Sequence, residues 1–167
     1  MKVFDNLYFS ENLIGSMRHK ILLILLLIVS QACSKYVWDY PDKKVGSISI
    51  QNLQHTSITI PSANSATILH FWAYNHPLSR NSLSYMNELS KKAKADGVRF
   101  IAVCLNWSGS ESEIIEYLNN NKYTFETVFD YENKLGRIYE VTSLPQTQVI
   151  SSSNVVTHRL MGLREDI

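Results

Sequence analysis

The segment from Thr67 to Arg80 constrains the fold more than any other part of this chain. It reads T-I-L-H-F-W-A-Y-N-H-P-L-S-R, and its first half is an apolar run typical of a buried strand. The run breaks at Asn75-His76-Pro77, and a helical repeat follows. Its apolar face comprises Leu83, Met86, Leu89 and Ala93, and its polar face comprises Ser84, Asn87, Lys91 and Lys94. The segment therefore predicts a strand, a tight loop and a helix, with the loop at the positive N-terminal end of the helix.

The same segment resembles the active-site segment of thioredoxin-like proteins of the TlpA/ResA type, which read F-W-A-x-W-C-x-x-C-R. The residues that match in place are Phe71, Trp72, Ala73, Pro77 and Arg80. A second match follows the family run D…L/A-x-x-Y-x-V-x-x-x-P-x-T, at Asp130, Leu135, Tyr139, Val141, Pro145 and Thr147. His76 and Ser79 stand at the two cysteine positions, so the resemblance implies a degenerate active site. It also implies that Pro145 is cis and faces the loop at His76.

The resemblance covers roughly residues 45 to 163 and implies a thioredoxin-like α/β fold. We expect a three-layer sandwich with a central mixed sheet flanked by helices, and an added β-α insertion between about Ser108 and Phe129. The patterns predict a hairpin over residues 48–60, a buried strand over 98–105, a helix opened by a capping box at Ser110 and a closing hairpin over 146–161. Relatives continue into a final helix after the glycine that matches Gly162. Because the chain stops five residues later, we expect that helix to be truncated.

An export signal precedes the predicted domain. A basic group at residues 18–20 is followed by a short apolar run over residues 21–29, too short to span a bilayer, and then by Ser-Gln-Ala and Cys33. A small residue followed directly by cysteine resembles the lipobox of bacterial lipoproteins, in which that cysteine is lipidated. The alternative is a plain cleaved signal with an incidental cysteine. The resemblance implies a lipid anchor at Cys33 and a position in the bacterial cell envelope, facing the periplasm.

These observations divide the chain into four parts. Residues 1–16 lie upstream of the signal, and we interpret them as a mis-called N-terminal extension. Residues 17–32 are the predicted lipoprotein signal peptide, residues 33–44 a short tether, and residues 45–167 the thioredoxin-like domain.

Charge and cysteine content exclude several classes of function. Lysine and arginine number 16 and aspartate and glutamate 15, a balance without the basic excess of nucleic-acid-binding proteins. With Cys33 assigned to lipid, Cys104 is the remaining thiol, so no internal disulfide can form. Cys104 lies in an apolar strand, where a cysteine usually behaves as a small buried hydrophobe. A redox-sensing role for it is the less favoured alternative.

The loop at His76 lacks the groups that dithiol exchange needs. A serine at position 79 is no substitute for a thiolate, because an alkoxide is far harder to form. His76 is the remaining functional candidate, since a helix N-terminus favours its neutral form; the alternative, which we favour, is an exposed loop histidine without a role. His70 is predicted to be a core histidine, and His55 and His158 surface residues. No pair has metal-ligand spacing, so we expect neither metal nor cofactor.

Three functions from different classes follow from these predictions. The first is a non-catalytic module that holds an extended polypeptide or envelope protein in a groove formed by Trp72, Tyr74, Leu144, Pro145 and Gln146. The second is a thiol-disulfide oxidoreductase with a residual role, working through Cys104 or through the thiols of a partner. The third is a decayed remnant. We favour the binding module, which is not an enzyme.

Overall fold

The computed structural model describes residues 42–105 and 109–162. Eight strands and three helices are present in this part of the chain. The strands are β1 (Lys43–Lys44), β2 (Ile48–Gln51), β3 (Ser57–Ile60), β4 (Thr67–Trp72), β5 (Arg99–Leu105), β6 (Glu126–Asp130), β7 (Gln146–Ile150) and β8 (Val155–Met161). The helices are α1 (Pro77–Ala95), α2 (Glu111–Asn120) and α3 (Lys134–Ile138).

Six of the strands form one mixed sheet in the order β1-β8-β7-β4-β5-β6, and β2 and β3 form a separate hairpin. β4, β5 and β6 are parallel, whereas β7 is antiparallel to both β4 and β8. The C-terminal ends of β4, β5, β6 and β8 therefore lie at the same end of the sheet, where β7 begins. We call this end of the sheet, which runs across the strands, the strand-end edge. The predicted α/β architecture and mixed sheet are confirmed.

Apolar side chains cover both faces of the sheet, as parallel strands require. On one face, Ala102 and Cys104 of β5 pack with residues of α1 and α2, among them Leu83, Met86 and Ile114. On the other face, Phe71 of β4 and Val103 of β5 pack with Leu135, with Tyr139 and with the inward side of the β2–β3 hairpin. The alternation along β4 and β5 thus places successive residues in two separate cores.

The helix boundaries follow from local signals. Pro77 is the first residue of α1, where its missing N–H is not needed, and Gly97 lies beyond the last turn with a φ of +72°. The predicted capping box of α2 is confirmed: the Glu113 N–H donates to Ser110 Oγ at 3.3 Å, and the Ser110 N–H donates to Glu113 Oε2 at 2.7 Å. Both hairpins occupy the predicted residues.

One residue of the predicted polar face of α1 was placed wrongly. Asn87 is buried, and its Oδ1 accepts a hydrogen bond from the Thr124 N–H at 2.9 Å. It satisfies the backbone of the segment that leads into β6, a long-range contact that helical periodicity does not reveal.

The sheet begins earlier than the predicted domain boundary. Lys43 and Lys44 pair with Val156 and Val155, so the last two residues of the predicted tether belong to the edge of the sheet. The predicted extension, signal peptide and Cys33 lie outside the described residues, as do residues 163–167, where the truncated final helix was expected. Within the described part of the chain, no helix combines the length and the apolar character needed to cross a bilayer.

Candidate functional site

The loop between β4 and α1 places His76 and Ser79 in contact at the helix N-terminus. His76 is the N-cap residue, and its Nδ1 accepts a hydrogen bond from the Ser79 N–H at 3.3 Å. The Ser79 hydroxyl lies at the same distance from Nδ1. Ser79 is fully buried and His76 is half-buried. The structure therefore gives His76 a capping role, which accounts for the residue without a catalytic function.

A buried histidine lies behind this loop and joins three elements. His70 Nδ1 lies 2.9 Å from Thr147 Oγ1 of β7, and its Nε2 lies 3.0 Å from Ser82 Oγ of α1. The Ser82 hydroxyl donates in turn to the carbonyl of Ser79 at 2.7 Å. Burial lowers the pKa of His70 to about 3 because the charged imidazolium would lose its hydration.

The core position of His70 was predicted, but its hydrogen bonds were not. They depend on the register in which His70 lies opposite Thr147 across two strands far apart in sequence. The spacing of Ser79 and Ser82 along one helix face is the only local signal of the link.

Cys104 is buried near the C-terminal end of β5, within the apolar strand predicted for it, and is the only cysteine in the described ranges. Burial raises the pKa of its thiol to about 12, and a hydrogen bond from the Tyr74 backbone opposes this shift only in part. A thiolate is the reactive form of cysteine, so this residue is not positioned for thiol chemistry.

The five predicted groove residues are not all at the surface. Phe71 lies opposite Gln146, so the loops at Tyr74 and Leu144 share the strand-end edge, as the resemblance implied. The Leu144–Pro145 peptide bond is cis, in agreement with that expectation.

The side chains of Trp72, Pro145 and Gln146 are buried, so within the predicted groove they contribute to the core rather than to an exposed surface. Trp72 packs into the core beneath α1 because the alternation along β4 places its side chain on the sheet face that this helix covers. Only Tyr74 and Leu144, each half-buried, remain accessible.

Tyr74 fixes the loop to both neighbouring helices. Its carbonyl accepts a hydrogen bond from Arg80 Nη1 at 2.9 Å, and the Arg80 guanidinium lies 5.7 Å from the centre of its ring. The same ring packs edge-on against Tyr117 of α2 at 5.6 Å. A loop held in this way presents a fixed surface at the start of α1.

A buried carboxylate fixes the start of α3, the helix that precedes β7. In the sequence this residue was noticed only as a match to the family pattern. Asp130 is buried at the end of β6, and its two oxygens accept hydrogen bonds from the Lys134 N–H at 2.7 Å and the Gly136 N–H at 2.8 Å. These bonds satisfy the free N–H groups at the start of α3. Asp130 thus has a structural role, and within the described residues no group of histidine, cysteine or carboxylate side chains could hold a metal.

Comparison with known proteins agrees with this geometry. Residues 64–156, more than half of the chain, match the family described as thioredoxin-like. The chain belongs to the thioredoxin-like family. The match includes the β4–α1 segment, both central parallel strands and the loop at Pro145.

Among its relatives is the sporulation thiol-disulfide oxidoreductase A of Bacillus subtilis (strain 168), which is 24% identical over 114 residues, covering 68% of this chain and 69% of the relative. The thiol-disulfide oxidoreductase ResA of Oceanobacillus iheyensis (strain DSM 14371) is 24% identical over 155 residues, covering 87% of this chain and 80% of ResA. The thioredoxin-like chain is therefore related to thiol-disulfide oxidoreductases.

Solved structures confirm the thioredoxin-like fold. The crystal structure of StoA from Bacillus subtilis has a TM-score of 0.66 at 22% identity, covering 71% of this chain and 90% of StoA. The exposed lipoprotein thioredoxin of Streptococcus pneumoniae strain TIGR4 has a TM-score of 0.64 at 19% identity, covering 72% of this chain and 92% of that structure. Identities this low support the shared fold and carry no statement about activity.

Proposed function

We propose that this thioredoxin-like chain is a membrane-anchored, envelope-facing module that has lost dithiol-disulfide exchange and binds an extended polypeptide. One observation carries the first half of the proposal. Where the TlpA/ResA-type pattern has its two cysteines, this chain has His76 and Ser79, and the thiol of Cys104 is buried in the core. Neither a nucleophilic thiolate nor a resolving thiol is available at the loop.

Exposed apolar side chains at the strand-end edge support the binding half. Three large hydrophobic residues are exposed among those described: Leu78 by 50%, Tyr131 by 53% and Met161 by 37%. Leu78 is the second residue of α1, Tyr131 follows the last residue of β6, and Met161 ends β8. All three therefore lie at the edge that also carries the loops of Tyr74 and Leu144. Isolated exposed apolar residues are ordinary, but their concentration at one edge favours a contact surface.

The proposed contact surface includes two of the residues predicted to line the groove, Tyr74 and Leu144. It comprises Tyr74, Leu78, Tyr131, Leu144 and Met161, and it lies where β8, β4, β5 and β6 end and β7 begins. Strands are about 4.8 Å apart, so the surface from β8 to β6 spans roughly 19 Å, the length of about six extended residues. An extended segment with apolar side chains at alternate positions fits such a surface.

Binding is tested by selecting extended peptides from a displayed library against the full chain and measuring their affinities by calorimetry. We expect Leu78→Glu and Met161→Glu each to weaken binding by about tenfold or more, because each introduces a charge into an apolar contact. Lys92→Glu, at the far end of α1, is the matched control and leaves the affinity unchanged. If no peptide is enriched, or if the two edge variants bind as tightly as the control, the binding proposal fails and the decayed remnant replaces it.

The anchor is tested by metabolic labelling with a fatty acid. The wild-type chain is expected to incorporate the label and to sediment with membranes, because a cysteine follows directly on the short apolar run and a small residue. Cys33→Ala abolishes the label, whereas Cys104→Ala, which removes the other cysteine of the chain, retains it. A labelled Cys33→Ala chain, or an unlabelled wild-type chain, would contradict the anchor.

A residual oxidoreductase is the second candidate, favoured by the relation to thiol-disulfide oxidoreductases. It requires Cys104 or the thiols of a partner. The buried position of Cys104 weighs against the first of these routes.

A further inference from the structure

A cavity of about 480 Å³ lies at the edge of the sheet opposite the strand-end edge. We call it the far-edge cavity. The end of α1 and the beginnings of β5 and β6 enclose it, through Ser90, Lys91, Lys94, Val98, Arg99, Phe100, Thr124, Phe125 and Glu126. Cavities that bind small molecules have volumes of roughly 300 to 1,000 Å³. The far-edge cavity is within that range, and it shares no residue with the surface assigned above to peptide binding.

One wall of the cavity is aromatic. Phe125 packs against Phe100 with ring centroids 5.8 Å apart. Phe125 also stacks on Tyr123 at 5.4 Å with the two rings 19° from parallel. Because both contacts restrict Phe125, the part of its ring that lines the cavity is fixed in place. Aromatic ligands pack edge-on against a ring held in this way.

The lining of the cavity also carries a net positive charge. Three cations, Lys91, Lys94 and Arg99, and one carboxylate, Glu126, line the cavity. Arg99 pairs with Glu126 at 2.9 Å, which neutralises the carboxylate that would otherwise repel an anion.

The two lysines are the cations left to face a ligand. Lys91 pairs with Glu88 at 2.7 Å, but both side chains are largely exposed, so this pair contributes little and can be exchanged. Lys94 forms no ion pair within residues 42–105 and 109–162.

We propose that the far-edge cavity binds a small aromatic carboxylate. The ring packs edge-on against Phe125, and the carboxylate lies against Lys94 with Lys91 as a second cation. This arrangement uses the aromatic wall and the unpaired charge at the same time, whereas a neutral aromatic compound uses only the first. A carboxylate is the ligand chemistry to which an ammonium group on an apolar cavity is complementary.

The probe is 1-naphthoate, titrated by calorimetry into the full chain. We expect saturable binding that Lys94→Glu weakens by about tenfold or more, because the substitution replaces attraction by repulsion in a partly enclosed site. Lys94→Arg retains the charge and most of the affinity. Lys92→Glu makes the same change of net charge two residues away without lining the cavity, and it leaves the affinity within about twofold. The neutral analogue 1-naphthalenemethanol is expected to bind about tenfold more weakly than the carboxylate.

One further variant and three possible outcomes decide the proposal. Thr124→Trp fills the cavity next to Phe125, and it is expected to abolish binding while circular dichroism confirms that the variant is folded. The proposal is overturned if 1-naphthoate does not bind, or if Lys94→Glu and Lys92→Glu affect binding equally. It is also overturned if the neutral analogue binds as tightly as the carboxylate. None of these outcomes depends on peptide binding at the strand-end edge, so the two proposals fail or stand separately.

Discussion

The double substitution His76→Cys and Ser79→Cys is expected to create an intramolecular disulfide at a loop where the natural chain has no cysteine. The two side chains already meet, with His76 Nδ1 3.3 Å from Ser79 Oγ. Residues three apart on a helix have Cβ atoms about 5–6 Å apart, and the capping residue can turn inwards, so a disulfide is within reach. The first thiol would lie at the helix N-terminus, which lowers the pKa of a cysteine.

The measurement is the number of titratable thiols before and after reduction, together with the pH at which the new thiol begins to react. We expect two additional thiols after reduction, one of them reactive near neutral pH. The control is Glu88→Cys with Lys91→Cys, which has the same spacing in the middle of α1. There, the helix end does not contribute, and both thiols are expected to react only at ordinary cysteine pH. If the 76/79 pair behaves like this control, the assigned loop geometry is wrong.

Acidification is expected to destabilise the fold through His70 well before the carboxylates are protonated. The pKa of this imidazole is lowered from 6.5 to about 3 in the folded chain, so between these values the unfolded chain binds more protons than the folded one. Stability is therefore fully present above pH 6.5 and is lost as the pH falls towards 3. The slope approaches roughly 1 kcal/mol for each pH unit in this window.

Urea unfolding between pH 7.5 and 4.5 measures this slope. His70→Gln is expected to remove it while lowering stability at neutral pH, because the bonds to Thr147 and Ser82 are lost or weakened. Thr147→Val lowers stability but keeps the slope, since the imidazole remains. His158→Gln, at an exposed position, changes neither. A wild-type slope that persists in His70→Gln would show that another group causes the acid sensitivity.

Much of the fold could be predicted because its signals are local. The alternation of β2 and β3, the capping box at Ser110 and the strand-loop-helix around Pro77 are all determined by residues within a few positions of one another. The resemblance added the cis peptide at Pro145, which no local signal reveals.

Features that depend on strand pairing were missed. The short β1 became visible only through its pairing with Val155 and Val156, and Asn87 is buried because it meets Thr124 from a distant segment. The burial of Trp72 and Gln146 was not predicted for the same reason. Both lie in paired strands of a sheet that is covered on both faces. The exposed set of Leu78, Tyr131 and Met161 comes from three elements that only the folded sheet brings to one edge.

The loss of disulfide exchange that we propose for this thioredoxin-like chain is tested most directly by a turnover assay. The full chain is incubated with insulin and excess dithiothreitol, and the rate of disulfide reduction is compared with that of the reductant alone and with that of ResA under the same conditions. We predict that the wild-type chain and Cys104→Ala both match the rate of the reductant alone, since the one thiol among residues 42–105 and 109–162 is buried. Turnover by the wild-type chain comparable to that of ResA would contradict the account.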